Sequence, residues 1–279
     1  MKKWLPRLIL FFLALIVWLP LWLLLTGALM GKGELLQNLS PVLGEGEGFA
    51  SWPLLPQFPT LRPLVELLLD TPKFFVMFWN SCAMVAPILV LQVLIGAPAA
   101  WALARWRFRG RDTVYFLYIV LMLMPFQVTM VSSYLVLDRL GLMDTLWAII
   151  LPGAFSTFPV FLMHRFFAAI PEGVLEAAAL DGAGPLRSFL SIGIPLGAPG
   201  ILCAVVLGFL EYWNAIEQPM TFLKDRSLWP LSLYLPSITA ERAGASLAAS
   251  LVMLVPALLI FRFGQRYLEE GISAYGMKE

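Results

Sequence analysis

The chain has 279 residues, 60% of them hydrophobic and 13% charged, with a formal net charge of +1. Soluble globular domains carry about 25% charged residues. With a mean hydropathy of +0.82, this composition excludes a disordered chain, a nucleic-acid binder and a secreted disulfide scaffold, and leaves a polytopic membrane protein, expected to be all-α because its apolar runs have the length of helical spans.

A membrane-spanning helix takes about 20 mostly apolar residues, because roughly 30 Å is crossed at 1.5 Å per residue. Only helices, or closed barrels, satisfy their backbone in the absence of water. Span 1 is expected at 8–30. Lys2, Lys3 and Arg7 precede it in the manner of a signal peptide, but the run exceeds the roughly 7–15 residues of a signal core. No A-x-A site closes it, so it reads as an uncleaved span. Residues 31–72 form the longest external segment, and their glycines and prolines predict irregular structure with short interfacial helices. Span 2 is expected at 74–104, span 3 at 113–137 and span 4 at 145–164. Span 5 is expected at 199–221, with Pro195 and Pro199 marking its start, and span 6 at 243–263, followed by a tail at 264–279. Prolines 125, 152, 159 and 256 should kink the spans that hold them. The expectation is one transmembrane domain of six helices, with no internal repeat.

Lys and Arg set the orientation, because they concentrate on the cytoplasmic side. Placing the N-terminus inside puts twelve of them inside and seven outside. Both termini are therefore expected to be cytoplasmic. The run Arg105-Trp-Arg-Phe-Arg-Gly-Arg111 is the strongest part of this signal and reads as an anchor among lipid headgroups.

The segment between spans 4 and 5, expected to be cytoplasmic over 171–190, is the most informative. Pro171 suits a helix start, where its missing N–H costs nothing. Glu172 and Glu176 suit the positive end of that helix, and Ala177, Ala178 and Ala179 are strong helix formers of little bulk. Asp181-Gly182 marks the turn that ends it, with Gly182 in a left-handed position. Such a short, smooth helix suits either docking in a groove of another protein or lying along the membrane surface.

Glu176-Ala177-Ala178, three residues, Gly182, nine residues, then Ile192-x-Ile194-Pro195 resembles the "EAA" signature of permease subunits of bacterial ABC importers, with Ile194 in place of the usual leucine. Further residues look like the maltose-type carbohydrate subfamily. These are Asn80-Ser81, Phe108-x-Gly110-Arg111, Pro125, Phe166-Phe167-x-x-Ile170-Pro171, Asp181-Gly182-Ala183 and the tail Gly271-Ile-Ser-Ala-Tyr-Gly276-Met-Lys278. The absence of a large external domain is similar to the smaller, maltose-G type of permease chain.

The resemblance implies a type I ABC importer permease fold in a bacterial inner membrane. It implies a second, non-identical permease subunit, a dimer of a cytoplasmic P-loop ATPase and an extracytoplasmic sugar-binding protein as partners. It makes the EAA segment a coupling helix, with Glu176, Ala177, Ala178, Asp181 and Gly182 as the docking residues. It also gives the tail, through Gly271, Gly276 and Lys278, a second contact with the ATPase. The chain lacks a G-x-x-x-x-G-K-[ST] loop of its own. No cofactor and no enzymatic activity are therefore expected, the ATP being bound by the partner.

Polar residues at membrane depth are costly and tend to face protein or water. Gln127, Glu211, Asn214 and Glu217 are the candidates for a sugar pathway, since amides and carboxylates near Tyr212, Trp213 and Trp229 suit hydroxyl groups. Helical spacing would put Glu211 and Asn214 on one side and bring Asn214 near Glu217 and Gln218. The competing reading is hydrogen bonding between helices. For the whole chain the competing readings are a secondary transporter or channel, which would favour internal repeats, and an intramembrane enzyme. A single histidine, His164, makes a metal or catalytic constellation an unpromising reading.

Overall fold

The computed structural model describes residues 4–39, 41–42, 49–234 and 242–276, the last seven as backbone only. Most of these residues are helical, and no strand occurs among them. The chain divides into two compact units, Met1–Val76 with Tyr234–Pro256 and Met77–Leu233 with Ala257–Glu279.

In the first unit, α1 (Trp4–Ala28) is apolar on every side and exposed until its last turn. A helix of this length reaches roughly 37 Å, enough to cross a membrane. The segment expected to be external meets the end of α1. It contains two short helices, α2 (Lys32–Leu39) and α3 (Arg62–Leu69). The indole N–H of Trp22 donates to the carbonyl of Leu54 at 2.8 Å, and the N–H of Thr60 donates to the carbonyl of Leu29 at 2.8 Å.

In the second unit the helices alternate between unbroken and broken. Helix α4 (Pro72–Arg105) enters from the first unit and runs through Pro87 and Pro98 without a break. The expected third span is two helices, α5 (Arg111–Leu123) and α6 (Phe126–Arg139), which meet at 104°. The cause is Pro125, which lacks an N–H and pushes Met124 into an extended conformation at φ −75°, ψ 119°. Helices α7 (Trp147–Ala154) and α8 (Thr157–Ala169) are likewise separated, at Phe155 and Ser156.

After α8 come the exposed helix α9 (Glu172–Leu180), a single turn α10 (Pro185–Ser188) and a π-turn over Phe189–Gly193, which leads straight into α11 (Ile194–Trp213). The fifth span therefore begins well before Pro199. A proline in a first turn breaks no bond, and a π-turn absorbs the register change that Pro195 demands. It also ends earlier than expected, at Trp213, and Glu217 opens a separate short helix, α12 (Glu217–Phe222). Helix α13 (Ala243–Gly276) completes the chain. Five helical stretches are long and apolar enough to cross a membrane among the described residues, and there are six when the bent α5–α6 pair is counted as one span.

The core of this unit joins α4, α8 and α11 through Ala97, Ala100, Trp101, Met163, Phe167 and Ala204. Helix α11 approaches α8 on glycines. A Cβ at Gly197 would lie 2.2 Å from the Phe167 ring, and one at Gly200 would lie 2.5 Å from the Phe166 ring. Gly197→Leu should therefore lower stability by about 1–3 kcal/mol, the usual cost of overpacking. Gly33→Ala, where a Cβ meets nothing within 4 Å, should leave it unchanged. Thermal unfolding in detergent measures both.

Candidate functional site

Two regions gather the residues singled out in the sequence. The first is α9. Ile170, which precedes a proline, is extended at ψ 128°, and this turns the chain out of α8. Helix α9 then runs for nine residues without burying one of them. Glu176 and Ala177 are exposed, Ala178 is half-buried, and Leu175 alone reaches the core. The helix closes in a Schellman motif, in which the N–H of Ala183 donates to the carbonyl of Ala178 and that of Gly182 to the carbonyl of Ala179. Gly182 holds the left-handed conformation this requires, at φ 80°. Asp181 is the capping residue. All five proposed docking residues thus share one helix and its terminal turn, bordered by exposed Leu180 and Leu186. Of the proposed tail residues, Gly271 and Gly276 belong to the backbone of α13, and Lys278 lies outside the described residues.

The second region is a cavity of 370 Å³. It opens where three apolar runs break, at Met124–Pro125, at Phe155–Ser156 and just beyond Trp213. Thr129, Ser133, Ser156, Thr157, Glu211, Tyr212 and Gln218 supply its polar lining, and Met122, Met124 and Phe126 part of its apolar lining. No Lys, Arg or His belongs to that lining.

The four residues proposed for a pathway separate here. Glu211 lines the cavity. Gln127 and Glu217 pair with each other, the amide nitrogen standing 2.7 and 2.8 Å from the two carboxylate oxygens. Asn214 is the capping residue of α11, and its amide donates to the carbonyl of Leu210 at 2.8 Å. The helical spacing that placed Asn214 beside Glu217 does not apply, because the helix has ended between them. Ser156 and Thr157 were missed. Their signal was present: a Ser-Thr pair two residues ahead of Pro159 is a helix-start pattern inside an apolar run.

Beyond α12 the chain is held tightly. Asp144, in the left-handed conformation at φ 61°, accepts the N–H groups of Lys224 and Asp225. The Ser227 N–H and hydroxyl both donate to Asp225, which holds its carboxyl below the usual range. Asn80 donates to the carbonyls of Ser227 and Trp229, and the Ser81 hydroxyl accepts the N–H of Leu231. Among the described residues no group of three His, Cys, Asp or Glu side chains is placed to hold a metal ion.

Residues 92–274 match the family described as the inner membrane component of binding-protein-dependent transport systems. Over 203 residues the chain is 32% identical to the diacetylchitobiose uptake system permease protein NgcG of Streptomyces coelicolor, covering 70% of this chain and 67% of that one. It is 26% identical to the arabinooligosaccharides transport system permease protein AraQ of Halalkalibacterium halodurans, over 99% of this chain and 96% of that one. The structure is similar to a chain of a bacterial ABC transporter that imports the acidic polysaccharide alginate, with a TM-score of 0.80, 21% identity, and 94% and 95% of the two chains covered. That likeness establishes the type I importer fold.

The geometry distinguishes two polar residues that the sequence grouped together. Asn214→Ala should cost about 0.5–1.5 kcal/mol of stability, the net worth of one hydrogen bond. Glu211→Ala, which removes no helix cap, should leave the unfolding midpoint in detergent unchanged or raised.

Proposed function

Because the chain belongs to the family of inner membrane components of binding-protein-dependent transport systems, we propose that it forms one half of the translocation pathway of an ATP-driven carbohydrate importer and couples to a separate ATPase through α9. The observation that carries the coupling is the state of α9. It is a nine-residue helix that buries none of its residues, although both its flanks are anchored in the core of the unit. A helix so exposed is placed to meet a partner surface, and its three alanines and capped end offer one of low relief. The partners are a second, non-identical permease, a dimer of a P-loop ATPase and an extracytoplasmic binding protein, with both termini of this chain in the cytoplasm of a bacterial cell.

A di- or oligosaccharide, or a related sugar, is the substrate. The names of the relatives support this, since they include uptake permeases for diacetylchitobiose and arabinooligosaccharides. The cavity supports it as well. Hydroxyl, amide and carboxylate groups beside Tyr212 and Phe126 suit a ligand that offers hydroxyls on one face and C–H groups on the other. Glu211 would contact such a ligand directly, with the Gln127–Glu217 pair at its margin. Asn214 serves the pathway by ending α11. The tail from Gly271 to Lys278 would add a second contact with the ATPase. An uncharged sugar gains nothing from the membrane potential, so its uphill transport needs coupling to ATP or to an ion; in this reading the source is ATP, and α9 transmits the work by favouring one of two states of the pathway.

Glu176→Lys reverses the charge of the proposed docking surface at an exposed position. It should abolish ATPase association and uptake while leaving membrane insertion intact. Normal uptake by this variant, measured with labelled substrate in whole cells, would remove α9 from the coupling role.

A further inference from the structure

Arg105 opens the arginine cluster that reads as a headgroup anchor, yet its side chain turns inward. The guanidinium donates to the carbonyls of Phe167 and Ile170, the last turn of α8. The Ile170 carbonyl lacks a helical partner there, because α8 ends at Ala169 and Ile170 itself is extended. One turn earlier in α4, Trp101 meets Phe167 edge-on at 5.4 Å and Phe189 at 5.7 Å, and those two rings meet each other at 6.3 Å. The same indole lies against Gly193, where a Cβ would stand 2.7 Å from it. Phe167 and Ile170 precede α9, and Phe189 and Gly193 follow it. The end of α4 therefore holds both the entry and the exit of the segment that carries α9, and it does so at the π-turn, a place where a helix readily changes register.

We propose that Trp101 and Arg105 form the clamp through which displacement of α9 reaches the membrane helices, with Arg105 as the positioning residue. The proposal rests on the reading of α9 as the docking helix. Since α9 buries none of its own residues, a force applied to it passes mainly through its two ends. Both ends meet on one turn of α4, so the two strands of the loop cannot move independently. Both carbonyls are held by one guanidinium nitrogen, Nη2, whose two N–H groups are fixed in the plane of the group, whereas the N–H groups of an ammonium rotate.

The test uses the whole transporter in lipid nanodiscs, comparing Arg105→Gln, Arg105→Lys and Phe189→Leu with Arg107→Gln, an exposed member of the same cluster. Arg105→Gln should co-purify with its ATPase and keep basal ATP hydrolysis. Its stimulation by the substrate-loaded binding protein should fall by roughly fivefold or more, and Arg105→Lys should recover only part of it. Arg107→Gln should match the parent. Full stimulation in Arg105→Gln would overturn the clamp. If Arg105→Gln fails to assemble, Phe189→Leu decides, because it thins the clamp from the exit side and leaves no buried polar group; unchanged stimulation there, or failure of both variants to assemble, would equally overturn it. Absence of an ATPase from the parent preparation would instead sink the docking reading itself.

Discussion

A peptide group in the hydrocarbon has no water to bond, so a carbonyl freed at a helix break needs a protein donor or the water of a cavity. The second unit of this chain breaks its apolar runs repeatedly, and much of its polar inventory is committed to those breaks. Gln92, buried to 4% exposure, donates to the Gly153 carbonyl at the end of α7. Arg105 serves the end of α8, Asn214 the end of α11, and Asn80 the chain beyond α12. At the ends of α7, α8 and α11 an amide or a guanidinium thus stands ready at the break.

The breaks are what open the second unit. An uninterrupted bundle of six apolar helices would be a packed plug. Here the bend at Pro125, the gap at Ser156 and the end of α11 open a cavity whose lining mixes hydroxyls and one carboxylate with methionine and aromatic surface. On the other part of the same unit, the break at Ile170–Pro171 releases the chain from the core for the length of α9 and α10, and the π-turn returns it. Helix α4 is continuous past both regions, which gives a rigid member against which the broken helices are held.

Much of this was legible in the sequence. Composition alone gave a helical membrane protein, and the runs at 8–30, 74–104 and 243–263 are recognisable in α1, α4 and α13. The turn at Gly182 follows from its residue type, since the Schellman geometry needs a positive φ. Other features were hidden for identifiable reasons. Hydropathy averages over about 20 residues and cannot register a bend made by one proline, so α5 and α6 read as a single span. Asn214 and Glu217 looked like neighbours only while a helix was assumed to continue between them. Arg105 looked like its exposed companions Arg107 and Arg109, because the carbonyls that draw it inward lie more than sixty positions away.

The central claim is that this chain works only as one of two membrane subunits of an ATP-driven assembly. The most direct measurement is purification of the tagged chain from its native membrane under conditions that preserve complexes, with the co-purifying proteins identified by mass. The account predicts a P-loop ATPase and a second, different permease in stoichiometric amounts. Recovery of the chain alone, or as a homo-oligomer without an ATPase, would contradict it.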